Sequence, residues 1–497
     1  MKMIDYVLNK TNEYIKIASK ETRKKIGQFF TSKETAIFMA SLFDLNIKRD
    51  EISILDPGAG SGILSAALIQ RIIDSKMVKK INLTCYETDE DIVNLLEANL
   101  YWIKENSNLD IDYRIIDKNY IISQDYEYNN FLGMYNNVKK YDLVICNPPY
   151  KKIGKKDREA IIMSDVCYGS PNLYFLFMQM SNFNLKENGE MVFIVPRSWT
   201  SGAYFKKFRE EFLEEISLEH IHLFTSRDKV FDKESVLQET MIIKAKKTRI
   251  PPEFITITSN NGNFDFKNTT IFEADYDLVV SKENKYIYLI TNEEEANTIK
   301  QVKEWKDTLP SLGLKMKTGL TVDFRNSEVL RDRFEEEAVP LFYSQHIKDG
   351  KVVFPMGKEN EYILNSKKGL LQENKNYLFV KRFTSKEEKR RLQCGVYLAK
   401  KYPEYEKIST QNKLNFITGF ENLSECLVYG LYVVLNSTLY DQYYRILNGS
   451  TQVNSTEINS MPVPPLEYIE NMGKDLIRIK DMSEKTCDEI LGRYIYA

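Results

Sequence analysis

Histidine is almost missing from this chain, with three in 497 residues. Two of them, His220 and His222, fall in one probable strand and read as structural or exposed. The six cysteines (Cys85, Cys146, Cys167, Cys394, Cys426 and Cys487) are scattered, and no two are spaced as CxxC. That excludes the usual signatures of a zinc site and of a disulfide framework. A reduced, cytoplasmic setting fits. No apolar run reaches the roughly 18 residues of a membrane-spanning helix. The opening stretch, MKMIDYVLNKTNEYIKIASKETRKK, is charged and amphipathic and has no apolar core of a signal peptide. A charge excess is missing too: 69 Lys+Arg face 71 Asp+Glu, for a net charge of −2. That total still allows a basic face. No repeat or low-complexity array is present.

What is there is ordinary for a soluble globular protein: 43% hydrophobic and 28% charged residues. A chain this long holds two to four domains. Tyr (31) and Phe (26) are abundant, which serves either core packing or stacking against flat ligands.

The first half alternates strand and helix. ISILDP (52–57), INLTCYETD (81–89), IDYRIID (111–117), YDLVICNPPY (141–150) and MVFIVP (191–196) read as strands. GAGSGILSAALIQRII (58–73), EDIVNLLEANLYWI (90–103), NLYFLFMQMSNFNL (172–185) and GAYFKKFREEFLEEI (202–216) read as helices, with KENGE (186–190) a turn. Such alternation implies a mainly parallel α/β sheet covered on both faces. Ligands bind such sheets beyond the carboxyl ends of the strands, at the switch point. Asp56, Glu87, Asn119 and Asn147 stand at those ends.

LDPGAGSG (55–62) follows a strand and opens a helix. It lacks the GK[ST] of a phosphate-binding P-loop and does not match GxGxxG. Asp56 would repel a pyrophosphate but suits a ligand bearing ammonium and sulfonium charges, such as S-adenosylmethionine. Glu87, at the end of the next strand, is placed to accept hydrogen bonds from ribose hydroxyls. The bland alternative is an ordinary strand–helix turn.

Asn147-Pro148-Pro149-Tyr150 ends the fourth strand abruptly, because two prolines stop ladder bonding. The Asn147 side-chain carbonyl and the Pro148 backbone carbonyl can accept both protons of an exocyclic amine. That would aim its lone pair at a methyl donor. Tyr150 offers a stacking face, and Lys151, Lys152, Lys155 and Lys156 suit a phosphate backbone. The alternative is a strand-terminating turn with a solvated lysine loop.

These motifs resemble the amino-methyltransferases of bacterial restriction–modification systems, in the gamma arrangement where cofactor motifs precede NPPY and a target recognition domain follows. The resemblance runs through most of the chain. It implies a Rossmann-like domain with a mixed, mainly parallel sheet over 1–245, with a helical segment at 1–26. A separate α+β target recognition domain would span 246–497. GQFFTS (27–32) matches the N-terminal cofactor motif and implies that Phe30 and Thr31 close over the methionine moiety. Asp56, Gly58, Ala59 and Gly60 belong to the main cofactor motif, and Glu87 and Thr88 to the acidic one. The third motif is usually an acid followed by an aromatic. Here the pair is Asn119-Tyr120 with Asp117 two residues earlier, so the residue that binds the cofactor adenine is open. NLYFLF (172–177) implies Phe177 against that adenine. FTSRDKVFDKESVLQETMII (224–243) implies Phe231 as a second ring opposite Tyr150, with Phe205 as an alternative.

After about residue 245 the alternation is lost, and KAKKTRIPPEF (244–254) reads as a linker. GLKMKTGLTVDFR (313–325), KRFTSKEEKRR (381–391) and YYRILNGSTQVNSTEI (443–458) are basic or amide-rich. Alone each is a solvated surface. Beside the resemblance they imply DNA contacts, with Arg325, Lys381, Arg382, Lys386, Asn448, Gln452 and Asn454 as candidates. No PD…(D/E)xK nuclease cluster stands out. The resemblance thus implies a site-specific DNA adenine-N6 methyltransferase that uses S-adenosylmethionine. Its substrate would be double-stranded DNA and its possible partner a separate cognate endonuclease, with no membrane and no metal. The rivals are a protein-glutamine or RNA N-methyltransferase, and a DNA-binding protein with an inactive core.

Overall fold

The computed structural model describes residues 2–17, 31–46, 48–129, 138–224, 240–262, 266–385, 387–448 and 451–495. The chain divides into two compact units, Met1–Ile287 and Tyr288–Ala497. The first is built on one sheet of β1 (Arg49–Asp56), β2 (Val78–Tyr86), β3 (Asp110–Ile116), β4 (Tyr141–Cys146), β5 (Leu185–Pro196), β6 (Ile216–Phe224), β7 (Thr240–Lys247), β8 (Phe254–Asn260) and β9 (Thr270–Asp275). Their order is β3-β2-β1-β4-β5-β7-β6-β8-β9. Strands β3 to β5 run parallel, as does the β6–β8 pair, while β7 pairs antiparallel with β5 and β6 and β9 antiparallel with β8. The expected mixed, mainly parallel α/β sheet is borne out.

The order reverses between β1 and β4, where Ile54 pairs with Leu143 and Leu55 with Val144. This is the switch point, where the connections leave toward opposite sheet edges and open a crevice. The ends of β1 and β4 are buried runs, as strands covered on both faces must be. Helix α1 (Ile63–Ser75) starts after Gly62, whose φ is +84°. A Cβ there would lie 2.8 Å from Leu96 Cδ1, so backbone conformation and packing both demand glycine. Leu96 belongs to α2 (Glu90–Glu105), which covers the same face.

Three expectations change. KENGE is not a turn between elements: β5 already begins at Leu185 and takes a register irregularity there, pairing Leu185 with Tyr141 and Glu190 with Leu143. The surplus residues leave the ladder as a bulge, with Asn188 at φ 63°. The supposed linker at 244–254 starts inside β7. Its Lys244 is held by Glu190 at 3.2 Å and Glu219 at 2.8 Å, while Ile243 and Ala245 are buried. Strand alternation, not linker composition, explains KAKK. The boundary expected at 245/246 also moves, since β8 and β9 extend the same sheet and the unit runs to Ile287.

The second unit carries a six-stranded and a five-stranded sheet, both with antiparallel pairing predominant, and C-terminal helices. Helix α3 (Glu425–Asn436) and helix α4 (Leu466–Ile479) pack backbone to backbone. A Cβ on Gly430 would lie 1.8 Å from Ile469 O, and one on Gly473 1.7 Å from Cys426 O.

Candidate active site

Asp56 ends β1 and is fully buried. Ser65 Oγ, in the first turn of α1, donates to its Oδ2 at 2.7 Å. Its Oδ1 has no hydrogen-bond partner among the described residues. Burial pushes the Asp56 carboxyl up to about 7; the Ser65 bond opposes this and the charge of Glu87 adds to it. The buried carboxylate cannot be touched from solvent, so it would act on a ligand's positive charge through the loop rather than by direct bonding.

The loop after β1 is stitched to the end of β2. Ala59 N–H donates to Tyr86 O at 3.0 Å and Gly60 N–H to Glu87 Oε2 at 3.0 Å. The other oxygen, Oε1, accepts from the backbone N–H of Thr88 (2.7 Å) and Asp89 (3.0 Å). Glu87 therefore shapes the loops as well as facing the crevice. Each carboxylate oxygen has two lone pairs, so Oε2 keeps an acceptor direction. Thr88 is exposed beside it.

β4 brings Asn147 to the same place. A Cβ on Gly58 would lie 3.7 Å from Asn147 O, 3.8 Å from Phe177 Cε1 and 3.9 Å from Cys146 Sγ. The Gly-rich loop, the Asn-Pro-Pro-Tyr segment and the helix at Leu173–Asn184 thus meet at Gly58. Asn147 Nδ2 donates to Thr31 Oγ1 at 3.2 Å, which sets the way the amide faces. Pro148 is buried and Pro149 half-buried. Tyr150 OH donates to Ile194 O at 2.9 Å, and its ring stands edge-on to Tyr174 at 6.2 Å. The ring is locked by its phenol to β5, so its orientation does not depend on a ligand.

Asn119 does not fit its expected role. Its Oδ1 accepts from Ile121 and Ile122 N–H, both at 3.0 Å, and its Nδ2 donates to Glu159 at 2.8 Å. The side chain caps the following turn, so its carbonyl is already spent. Asp117, exposed just before it, is the acid that stands at the end of β3. Tyr120 is buried behind Phe177, with ring centroids 5.2 Å apart and its OH on Asn184 Oδ1 at 2.8 Å. It backs Phe177 rather than facing the crevice. Phe205 packs on Phe175 at 5.4 Å and Tyr174 at 5.8 Å, and among the described residues no ring contact joins it to Tyr150. Phe30, Phe231 and Lys386 lie outside the described residues.

Lys151 and Lys152 are exposed, on a segment pinned to 171–173 by Leu173 N–H to Lys151 O (2.9 Å) and Ile153 N–H to Pro171 O (2.9 Å). Lys152 Nζ lies 5.9 Å from the centroid of the exposed Tyr204 ring. Ser65, Tyr174, Ile194 and Tyr204 were not singled out by sequence. Only Ser65 carried a signal, as a hydroxyl in the first turn of the helix that follows Asp56.

In the second unit the candidates divide. Arg325 is exposed. Lys381 Nζ is tied to Gln393 Oε1 at 2.8 Å, and Arg382 to Asn412 O at 2.9 Å and Gln452 Oε1 at 3.3 Å. Asn448 is a correction: it is buried, accepts from Arg391 Nη2 at 3.1 Å and donates to Glu457 and Gln452 O. It braces the fold and has no face for DNA. Arg390 and Arg391, in the basic segment, are likewise internal, with Arg390 on Glu484 at 3.1 Å. Asn454 is the N-terminal cap position of the short helix Ser455–Ser460, its own N–H on Tyr444 OH at 3.0 Å.

Comparison with known proteins shows the family to which the chain belongs. The family model of the Eco57I restriction-modification methylase matches residues 72–231. Type II methyltransferase M.PstI of Providencia stuartii is 35% identical over 95% of this chain and 93% of its own. Type II methyltransferase M.BsuBI of Bacillus subtilis is 34% identical over 95% and 94%. Among solved structures, the Type IIL restriction-modification enzyme MmeI in complex with DNA superposes with a TM-score of 0.54 at 12% identity, covering 98% of this chain and 73% of that one. At that identity the likeness concerns the fold.

Proposed function

Since this chain belongs to the Type II DNA methyltransferases of restriction–modification systems, we propose that it methylates the N6 amine of an adenine within a specific duplex sequence, using S-adenosylmethionine. The observation that carries this reading is the meeting of the Gly58 loop, Asn147 and Phe177 within one contact distance. The loop read as donor cradle and the residue read as amine acceptor lie side by side.

The residues fit the donor. The cradle at Gly58 is a space that a Cβ would fill, and the buried, unpartnered Asp56 Oδ1 is a negative end behind the loop. When bound, S-adenosylmethionine supplies a methyl group on a positively charged sulfur that departs as a neutral thioether. Asp117 would hold the adenine amine of the donor, Phe177 its ring face and Glu87 its ribose. Thr31 holds the Asn147 amide so that Oδ1 faces the target amine. Asn147 Oδ1 and Pro148 O accept its two protons, which draws the lone pair out of conjugation and aims it at the methyl carbon. The surplus proton then leaves the nitrogen for solvent. The target base is flipped onto the Tyr150 ring. No covalent adduct is needed, and burial pushes the thiols of Cys85 and Cys146 far up, away from nucleophilic use. A separate endonuclease acting on the same sequence would be its partner.

Labelled S-adenosylmethionine, mixed-sequence DNA and nucleoside analysis test this. The expected product is N6-methyladenine, lost in Asn147→Ala. Label in RNA or protein and none in DNA would overturn the reading.

A further inference from the structure

Two aromatic side chains beside the Asn-Pro-Pro-Tyr segment are left in water. Tyr168 is 59% exposed and Tyr204 60% exposed, with ring centroids 6.3 Å apart and planes at 41°. The backbone beneath them is fixed. Arg209, buried in the helix Lys206–Glu215, donates from Nη1 to Trp199 O and to Gly202 O, both at 2.8 Å. Gly202 N–H donates to Ser198 O and Phe205 N–H to Gly202 O, both at 3.1 Å. A buried cation thus holds the turn that carries Tyr204. Phe205 closes that turn from below, against Phe175 and Tyr174. Gly169 lies against the Tyr204 ring with φ +81°, and a Cβ there would stand 3.0 Å from Tyr204 Cδ1. The surroundings are set, yet the two rings stay in solvent.

Tyr174 ties this shelf to the candidate active site. Its ring is edge-on to Tyr150 at 6.2 Å and meets Phe205, the neighbour of Tyr204, at 5.8 Å; its hydroxyl pairs with Ser198 Oγ at 3.1 Å. Lys152 reaches the shelf from the other side, its Nζ 5.9 Å from the Tyr204 centroid. Two residues of chain separate Lys152 from Tyr150, which is at most about 7 Å. Among the described residues no carboxylate pairs with Lys152. The acids of the following segment are engaged: Asp157 accepts from Gly154 N–H (2.8 Å), Glu159 from Asn119 Nδ2 (2.8 Å) and Asp165 from Tyr128 OH (2.7 Å). Two exposed rings beside an unpaired cation are a platform for a base and its phosphate. In an intact duplex the inner bases hide their faces in the stack. Drawing one base out bares the faces of its neighbours.

We propose that Tyr168 and Tyr204 form a shelf that receives the nucleotide next to the target adenine on the same strand, with its phosphate on Lys152. The strand is the same because Lys152 follows directly from Tyr150, which takes the target. Stacking there offsets part of the cost of drawing the adenine out of the duplex. Arg209 is a positioning residue that sets the height of Tyr204. The inference rests on the adenine-methyltransferase reading and adds to it two residues and the nucleotide they hold.

The test uses the full chain as wild type, as Tyr168→Ala/Tyr204→Ala and as Tyr168→Phe/Tyr204→Phe. Methylated sites are mapped by sequencing, and kcat/KM is then measured on duplexes carrying the site. One duplex is fully paired. A second has an abasic position opposite the target adenine, which is then already loose. Two more lack the base on one or the other side of the target in its own strand. S-adenosylmethionine affinity and thermal midpoint control for folding. On the paired duplex the alanine variant is expected to lose about tenfold or more, and the phenylalanine variant to stay within about twofold of wild type. Most of the loss should be recovered on the duplex with the loose adenine, where little opening cost is left. On one of the two duplexes lacking a flanking base, the alanine variant and the wild type should perform alike, as the pair of a double-mutant cycle. Wild-type kinetics in the alanine variant, or the same loss on all four duplexes, would overturn the shelf and leave the methyltransferase reading intact. A wild type that methylates no DNA would overturn both.

Discussion

Asn147 shows how a neighbour orients a single side chain. An amide can face two ways, and the hydroxyl of Thr31 accepts from its Nδ2. Thr31→Val removes that acceptor and should cut kcat by about tenfold, the worth of one net hydrogen bond, with little change in KM for DNA. Thr31→Ser should restore it, which a packing role would not. Asp56 has a pH signature of its own. Its folded value, about 7, lies above the ordinary 3.8, so the folded chain keeps a proton that the unfolded chain has lost between those values. Across that window stability therefore falls as pH rises. A cation bound nearby favours the ionised carboxylate and expels the proton. Affinity for S-adenosylmethionine should thus climb from pH 5.5 to about 7 and flatten above, with proton release visible by calorimetry in two buffers. Asp56→Asn should flatten the profile. At this scale NPPY was legible because its chemistry is local. Asn119 is used locally, its carbonyl capping the N–H groups of Ile121 and Ile122, whereas Asn448 was misread because its partner Arg391 lies 57 residues away.

Elements were legible where hydrophobic period and punctuation agree. β1 and β4 follow the sequence pattern because buried parallel strands need apolar runs at their inner ends. The KENGE bulge was not legible, since a turn and a bulge use the same residues and only the partner strand decides between them. The contact between α3 and α4 was equally hidden. Gly430 and Gly473 look like weak helix residues, yet each faces a carbonyl of the other helix at a separation no Cβ could occupy. Gly430→Ala or Gly473→Ala should destabilise the second unit by about 3 kcal/mol or more in urea unfolding.

For the whole molecule, 69 basic and 71 acidic side chains leave no net pull on DNA. Affinity must come from exposed cations with no ion-pair partner among the described residues, such as Lys151 and Lys152. Raising salt from about 50 to 200 mM should therefore raise KM for DNA steeply, by tenfold or more, and leave donor affinity nearly unchanged. Kinetics at a series of salt concentrations would check this. The sequence alone determined the α/β sheet and placed the Gly-rich loop and the Asn-Pro-Pro-Tyr segment after its strands, because each rests on residues adjacent along the chain. Only the tertiary structure decided which polar side chains remain available. It turned Asn119 into a cap and Asn448 into a brace, and carried the sheet past residue 245 through β9. Hydrogen-bond capacity is finite, and who uses it first is settled by residues distant in sequence.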